Sequence, residues 1–523
     1  MWKRLIGCLL LLGGLLALPF YFRREDEAVL PGFSGEADRL VIVSAHNKAM
    51  RDEYDIAFRN YYRRHFKRDV VLDFRSPGGT SDIVRYIDDR FVSEFRNFFE
   101  SDPGNGKWKK EYTDIFRDSK SAAHPVRKLF MASDVGIGID IFAGGGTFNH
   151  ARLAKRGYGV DAGVMKRHPE YFSADAIPAE FGGDKLYDPA GRYYGVVLST
   201  FGIFCNLDRI REMGLTKSPE TWKELGNLEF FDLIVLADPS KSGSANKCYE
   251  IIIQQAMAEA GDPAKGWDDG LNLLKKIFAN ARTVTDSASQ VVSDIACGEA
   301  VAGMAIDTYG FAEVEWSRRC FGEPRVRYIT PKGGTAVSSD PVMLLRGAPN
   351  RKTAEAFIDF LLSEEGQKLH AFKMGTPGGG VKSSLSRPAI RKDIYRKEYR
   401  KYRFESDYDP YASGADFTYR PEWTGRYYML LQMLIKTLML EPHEELQRAW
   451  KAIIAAGGPE KVPEAMREFN ALPFVYSEAG SAAGKLQGSA KNSAVEVSAY
   501  QRSLSDFARK QYLKAEKLAK EGR

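Results

Sequence analysis

The stretch LADPSKSGSAN, residues 236–246, separates an apolar run from a long helical pattern. Residues 231–236 (FDLIVL) are typical of a buried strand, and residues 248–257 carry apolar side chains at helical spacing. The polar turn between them would present free backbone N–H groups at a helix start, which is a favourable place for an anion. Taken alone, the stretch is also explained by an ordinary turn with Ser242 or Ser244 as the N-cap.

The chain repeats this arrangement of apolar strand, polar turn and helix. Alternating strands and helices predict an α/β fold with mainly parallel sheets, in which ligands lie at the carboxyl ends of the strands. We therefore expect the polar turns to share one cleft. The candidate ligand-binding residues in these turns are Ser44, His46, Thr80, Ser81, Gly145, Gly146, Ser242, Gly243, Ser244, Asp307 and Tyr309.

Two further expectations concern the first third of the chain. Residues 135–142 (VGIGIDIF) predict a strand before the Gly145 turn, and the charged and aromatic residues 88–127 predict a surface insertion. Gly136 and Gly138 lie inside that strand pattern with no helix directly after them, so they are not a dinucleotide-binding fingerprint.

Composition indicates a folded protein with more than one core. The chain has 523 residues, of which 44% are hydrophobic, which is enough for several domains. Its 75 basic and 69 acidic residues give a formal charge of only +6, too small for this length to indicate nucleic acid. The charge supports no more than a mild preference for anionic partners.

The N-terminus and the cysteines bear on the compartment. Lys3 and Arg4 precede an apolar run, residues 5–22, which is near the lower limit for a membrane span and lacks a small-x-small cleavage site. This pattern favours an uncleaved membrane anchor and an exported, periplasmic or extracytoplasmic body. The sequence has no C-x-x-C spacing, so a zinc site is not indicated. For the four cysteines of the body, a disulfide and buried free thiols are both consistent with the sequence. These are Cys205, Cys248, Cys297 and Cys320.

Beyond residue 385 the pattern changes. Residues 387–403 are basic with interleaved tyrosines, which predicts a solvated face, and residues 427–439 and 444–456 predict amphipathic helices packed on the rest of the protein. Residues 477–492 are rich in Ser, Gly and Ala and predict a flexible linker. Residues 498–521 predict a basic amphipathic helix that docks on a membrane permease or an anionic membrane surface.

Several of these segments, in order, carry a family resemblance. They are residues 40–47 (LVIVSAHN), 78–81 (GGTS), the interval from 222–225 (WKEL) to 237–240 (ADPS), the interval from 298–300 (GEA) to 307–309 (DTY), and 357–367 (FIDFLLSEEGQ). Together they resemble extracellular solute-binding proteins of ABC importers, and among these the ferric-iron-binding branch of class 2 periplasmic binding proteins. The resemblance covers roughly residues 37–385.

The resemblance implies a two-lobed periplasmic-binding-protein-like α/β fold with a C-terminal helical extension. It implies an ABC permease as partner and a binding protein, not an enzyme. The expected division is given by residue ranges. Residues 1–36 are a signal or membrane anchor with its linker, 37–192 with 322–385 form lobe 1, 193–321 form lobe 2, 386–476 form a helical appendage, and 477–523 form a linker and helix.

The resemblance also implies two classes of ligand. Iron-binding members use a histidine, an acidic residue and two adjacent tyrosines, which here correspond to His46, Asp82 and Tyr309. The tyrosine pair is broken because Gly310 follows Tyr309, and Fe³⁺ favours anionic oxygen ligands. Other relatives bind phosphorylated sugars or phosphonates, so we expect a small oxyanion-bearing ligand, with ferric iron as the alternative and no resident cofactor.

Functions of other classes remain as alternatives. The sequence has no H-E-x-x-H, G-x-S-x-G or G-x-x-x-x-G-K-[ST] motif, so familiar metalloprotease, serine-hydrolase and P-loop sites are not indicated. A hydrolase or transferase on the same scaffold is one alternative, because a fold does not fix a function. A non-transport interaction protein that works through its helical appendage is the other.

Overall fold

The structure is a computed structural model that describes residues 37–486 and 494–523. The predicted membrane anchor, and residues 487–492 of the predicted linker, lie outside these ranges. Among the described residues, no helix combines the length and the apolar character that crossing a bilayer requires.

The elements are numbered here in chain order. The strands are β1 Asp38–Ser44, β2 Val70–Arg75, β3 Ile141–Ala143, β4 Gly159–Val160, β5 Glu180–Phe181, β6 Asp184–Lys185, β7 Tyr194–Ser199, β8 Phe201–Asn206, β9 Ile234–Ala237, β10 Ala281–Thr285, β11 Ala302–Ile306, β12 Val326–Ile329 and β13 Ser338–Leu345.

Helices surround and extend these strands. They are α1 Lys48–Phe66, α2 Thr80–Ser101, α3 Lys110–Arg117, α4 Pro125–Ala132, α5 Gly146–Arg156, α6 Val164–Arg167, α7 Leu207–Glu212, α8 Gly243–Ala260, α9 Pro263–Ala279, α10 Ala288–Ala296, α11 Asp307–Phe321, α12 Arg351–Leu362, α13 Glu364–Ala371, α14 Pro410–Ser413, α15 Pro421–Thr424, α16 Tyr428–Ile435, α17 His443–Ala455, α18 Pro463–Phe469, α19 Ala479–Leu486 and α20 Ala494–Lys520. A π-helical turn, Lys436–Leu440, follows α16.

The first sheet has the strand order β2-β1-β3-β13-β4, and β7 also pairs with β13. Strands β1, β2 and β3 are parallel, with Ile42 opposite both Phe74 and Ile141. Buried residues alternate between the two faces of β1, and each face has its own apolar cluster. The carboxyl ends of the three parallel strands therefore lie at one edge, where the polar turns follow.

The second sheet has the strand order β10-β9-β11-β8-β12. Strands β9, β10 and β11 are parallel, while β8 runs antiparallel to β11 and β12. All of β8 and β9 is buried, and α8 and α9 cover the sheet with a continuous apolar core. The two sheets form the two lobes of the predicted α/β fold.

The chain crosses between the sheets at two adjacent places. Strand β7 belongs to the first sheet and β8 to the second, so the first crossing is at Thr200. The second crossing joins β12 in the second sheet to β13 in the first, and Thr335 within it accepts a hydrogen bond from Phe201 N, 2.9 Å. The predicted boundaries at residues 193 and 322 placed β7 in lobe 2 and β12 in lobe 1. In the structure β7 belongs to the first sheet and β12 to the second, because each strand is completed in its sheet before the chain crosses to the other.

The segment 408–428, called the strap below, contacts both lobes. On the first lobe, the Tyr411 hydroxyl donates to Ile390 O, and Tyr419 N donates to Gly182 O at 2.6 Å. On the second, the hydroxyls of Tyr419 and Thr424 both donate to the buried carboxylate of Glu250, at 2.9 and 2.6 Å. The strap therefore restrains any movement of one lobe against the other.

The C-terminal helices complete the second lobe. Apolar side chains of α16, α17, α18 and α20 belong to the same buried cluster as β8 and β9, and the buried Tyr512 hydroxyl of α20 donates to Leu438 O at 2.7 Å. The expectation that α20 docks on a permease or a membrane is wrong for its apolar face, which packs against the protein itself. The predicted flexible linker at 477–492 is also wrong in part, since residues Ala479–Leu486 are helical.

Two expectations for the first lobe are corrected. Residues 88–127 are not a surface insertion, because α2 continues to Ser101 and its buried Phe91 and Phe95 pack with Phe116 and Phe130. The strand expected at 135–142 starts only at Ile141. Before it, Gly138 has φ +71°, and the Asp140 carboxylate accepts from Val41 N at 2.8 Å instead of continuing a strand.

A buried lysine joins the appendage to the second lobe. Lys275 of α9 is 1% exposed, and its Nζ donates to Phe469 O at 3.1 Å and Ala471 O at 2.6 Å. Burial lowers the pKa of Lys275 to about 7, while the nearby Asp268 carboxylate opposes the shift. Between pH 7 and the ordinary lysine range the unfolded chain binds the extra proton, so Lys275 makes the folded state more stable as the pH rises.

We expect Lys275→Met to remove this pH dependence. Between pH 7 and pH 9.5 the unfolding free energy of the wild type should rise by roughly 2 to 3 kcal/mol relative to that of the variant. This follows because each unit of pKa shift corresponds to about 1.4 kcal/mol. Urea unfolding at the two pH values measures it, with Lys265→Met, an exposed lysine of the same helix, as control. Parallel pH profiles for wild type and Lys275→Met would contradict this account.

Candidate functional site

The first-lobe part of the site lies at the ends of β1 and β3. His46 N donates to the Ser44 hydroxyl at 3.0 Å, which folds the His46 ring back over the strand ends. A Cβ on Gly144 would lie 2.9 Å from His46 Nε2, and one on Gly145 would lie 2.7 Å from the Thr80 methyl. Both glycines have positive φ, +85° and +92°, so this turn needs glycine for its backbone and for the space beside it.

Asp340 of β13 and Arg387 hold the centre of this cluster. Asp340 Oδ2 accepts from Arg387 at 2.5 Å and lies 3.5 Å from His46 Nε2, while Asp340 Oδ1 accepts from Gly146 N at 3.3 Å. Burial alone would raise the pKa of Asp340, but Arg387 and His46 hold it well below its usual value. The start of α5 therefore already has a carboxylate from within the protein.

Buried histidines line the same cluster as neutral groups. Burial lowers the pKa of His46. Burial, together with the charges of Arg387 and His46, lowers the pKa of His370 well below the usual histidine value. The Tyr54 hydroxyl lies 3.4 Å from His370 Nε2. Among the described residues, Nδ1 of His46 and Nε of Arg387 are buried without a hydrogen-bond partner. These are polar atoms that a bound ligand would satisfy.

The second-lobe part of the site begins at the start of α11. The buried Asp307 carboxylate accepts from Thr200 N at 2.7 Å, the Thr200 hydroxyl at 3.0 Å and Thr308 N at 2.7 Å. Burial raises the pKa of Asp307 to about 6 against these hydrogen bonds, and the charge of Arg387 also lowers it. Burial raises the pKa of Tyr309 too, and Arg387 and Asp340 act on it. The charge of Arg387 in the first lobe therefore acts on both Asp307 and Tyr309 of the second.

The turn that precedes α8 forms the other second-lobe element. Ser242 caps the helix by accepting from Ala245 N at 3.2 Å, as an N-cap serine should. The Tyr428 hydroxyl donates to Gly243 O at 3.1 Å, and the Tyr428 ring stacks on Phe148, with ring centres 5.2 Å apart. Phe148 directly follows Thr147 in the first turn of α5. The turns at Gly145–Gly146 and Ser242–Ser244 thus lie on two sides of one phenol ring.

Ser81 and Asp82 differ from the other predicted residues, because they are exposed on the first turn of α2. The Asp82 carboxylate accepts from Gly79 N at 3.2 Å and lies 3.5 Å from Arg85, within its own turn. Among the described residues, no group of three or more His, Cys, Asp or Glu side chains is arranged to hold a metal ion. The four cysteines of the described chain, at 205, 248, 297 and 320, are free thiols.

The sequence reasoning missed Asp340, Arg387 and Thr200. It interpreted residues 387–403 as a solvated face, which is wrong for three arginines that are at most 8% exposed, Arg387, Arg391 and Arg403. Asp340 did carry a signal, since it is a carboxylate directly before the apolar residues 341–345 of β13. Two surface cavities of about 470 and 490 Å³ lie elsewhere, beside Trp450 and Trp108.

Comparisons with known proteins give a family for part of the chain. Residues 160–396 match the sequence model of the family described as bacterial extracellular solute-binding protein. This match confirms the resemblance predicted from the sequence.

Among curated proteins, the chain is 28% identical over 209 residues to the phosphoglycerate transport regulatory protein PgtC of Salmonella typhimurium, covering 40% of this chain and 48% of that protein. It is 27% identical over 196 residues to an uncharacterized protein of Haemophilus influenzae, covering 37% and 52%. The chain thus matches about half the length of these relatives.

Two solved structures are similar at low identity. The periplasmic binding protein AfuA of Actinobacillus pleuropneumoniae, with fructose-6-phosphate bound, gives a TM-score of 0.46 at 19% identity, covering 73% of this chain and 95% of AfuA. Iron-bound HitA of Pseudomonas aeruginosa gives a TM-score of 0.47 at 14% identity, covering 76% and 98%.

The raised pKa of Asp307 predicts a pH effect on stability. Between about pH 4 and pH 6 the folded state binds the extra proton, so the Asp307 contribution is present at low pH and lost as the pH rises through 6. In Asp307→Asn this loss should be absent. From pH 4 to pH 7 the unfolding free energy of the variant should rise by roughly 2 to 2.5 kcal/mol relative to that of the wild type.

Thermal or urea unfolding across this pH range measures the difference. Asp286→Asn, at an exposed position before α10, is the matched control and should follow the wild type throughout. If Asp307→Asn and Asp286→Asn show the same pH profile, Asp307 does not titrate in the folded protein near pH 6.

Proposed function

We propose that this protein, whose residues 160–396 match the model of the bacterial extracellular solute-binding proteins, captures a small anionic ligand between its two lobes and delivers it to an ABC permease. The ligand class is a phosphorylated or other oxyanion-bearing compound. The protein acts on the outer side of the cytoplasmic membrane, and the apolar segment 5–22 holds or directs it there.

The observation that carries the proposal is the position of Arg387. Its guanidinium is buried in the first lobe and acts electrostatically on Asp307 and Tyr309 of the second. Arg387 has five N–H donors; Asp340 accepts from one terminal nitrogen, and the other lies 3.5 Å from Met50 Sδ. Its Nε remains unpaired, so an oxyanion has donors available at the junction of the lobes.

The helix starts support an anion to different degrees. In the first lobe, the Gly146 amide already binds the Asp340 carboxylate. In the second lobe, the Ser242 hydroxyl accepts a hydrogen bond from Ala245 N. The backbone N–H groups of Gly243 and Ser244, which come first in α8, are therefore available to a ligand oxygen. An oxyanion that binds Arg387 and the α8 turn together would hold the lobes closed, because it contacts both.

A phosphorylated ligand fits the chemistry of the cleft better than ferric iron does. The cleft offers a guanidinium, backbone amides and neutral imidazoles, which are donors. Of the three residues that correspond to iron ligands, Asp82 has its contacts within its own turn. Ferric iron prefers anionic oxygen donors, and the Asp340 carboxylate of the cleft is already paired with Arg387.

Ligand binding to the full chain tests the proposal. We expect a rise in melting temperature with one of inorganic phosphate, 3-phosphoglycerate or fructose 6-phosphate, equivalent to about 2.7 kcal/mol at a hundredfold excess over Kd. Ser244→Phe, which fills the start of α8, and Arg387→Lys, which keeps the charge but loses the forked donors, should each weaken binding at least tenfold.

Trp316→Ala is the matched control, because Trp316 lies on α11 beyond Tyr309 and is 60% exposed. It should bind like the wild type. Stabilisation by ferric citrate but by none of the phosphate compounds would favour the iron alternative. Chemical conversion of a bound compound, or equal binding by Ser244→Phe and wild type, would contradict the proposal.

A further inference from the structure

Tyr428 belongs to the C-terminal appendage, beyond the residues that match the family, yet it lies between the two ligand turns. Its ring stacks on Phe148 of the first lobe, with centres 5.2 Å apart and planes 27° apart. Its hydroxyl donates to Gly243 O of the second lobe at 3.1 Å. A single side chain of the C-terminal extension therefore contacts residues at the starts of both α5 and α8.

The surroundings of Tyr428 differ from those of a core aromatic. Its helix neighbours Leu430, Leu431 and Leu434 are buried in the second-lobe core, whereas Tyr428 is only half-buried. Its ring partner Phe148 is itself 46% exposed, on the first turn of α5. Two partly exposed aromatic rings thus meet where the lobes face each other, next to the turns of the proposed site.

The anchors of Tyr428 lie in the second lobe. Its carbonyl accepts from the buried Asn246 side chain at 3.2 Å, and Gln432, one helical turn later, donates to Pro239 O at 2.5 Å. These bonds fix α16 to both ends of the turn before α8. If the lobes separate, Tyr428 stays with the second lobe and leaves Phe148.

We infer that Tyr428 forms one wall of the ligand site and limits the size of the organic part of the bound anion. The phenol ring occupies space between the α5 and α8 turns that a longer carbon skeleton would need. The site would therefore favour inorganic phosphate or a three-carbon phosphate over a hexose phosphate. This inference rests on the proposed function, and it adds a specificity-determining residue from the appendage.

Calorimetric titration of the full chain with inorganic phosphate, 3-phosphoglycerate and fructose 6-phosphate tests it. Tyr428→Ala should raise the ratio of the affinities for fructose 6-phosphate and 3-phosphoglycerate at least tenfold, with the affinity for inorganic phosphate changed less than threefold. Tyr428→Phe keeps the ring and should keep the wild-type ratio. Phe148→Ala, at an exposed position, should raise the ratio in the same direction and provides the test if Tyr428→Ala does not fold.

Tyr476→Ala is the matched control, a half-buried tyrosine of the appendage whose hydroxyl donates to Trp423 O, away from both turns. It should leave the ratio unchanged. If Tyr428→Ala and Phe148→Ala weaken all three ligands equally, or leave the ratio as in the wild type, the inference is overturned while the proposed function stands. If the wild type binds none of the three compounds, the proposed function fails, and the inference fails with it.

Discussion

The hydrogen bonds from Thr200 to the Asp307 carboxylate are the contact on which the two-lobed arrangement depends. Thr200 is the residue at which the chain leaves the first sheet and enters the second, and Asp307 begins the helix that faces the first lobe. The Tyr408 hydroxyl adds a third group at the crossing, 2.6 Å from the Thr200 hydroxyl. Because Arg387 acts on the same carboxylate, the hinge and the candidate site share one ionisable group.

The charges of the cleft follow from burial. An isolated buried charge is costly, so Arg387 is paired with Asp340, and the histidines beside them are neutral. The pairing uses only part of the guanidinium. Asp340 therefore balances the charge of Arg387, while Nε of the guanidinium has no hydrogen-bond partner among the described residues.

The C-terminal extension changes what a two-lobed binding protein can do. The strap bonds to Gly182 in one lobe and to Glu250 in the other, and α16 brings an aromatic ring to the cleft between them. Domain closure around a ligand takes place at a few hinge residues in loops or at the ends of elements. Here any opening must also accommodate the strap, because the strap is bonded to both lobes.

The sequence by itself determined the local units. Apolar runs such as 39–44 and 234–236 specify buried strands, and the glycine and serine turns that follow such strands specify helix starts, so the α/β class and several of these turns were predictable. Only the tertiary structure decided which distant groups meet those turns. Arg387, Asp340 and Tyr428 lie far from His46 and Gly243 along the chain. Their roles come from long-range packing that buries some basic residues and leaves others solvated, and residue type and spacing do not encode that choice.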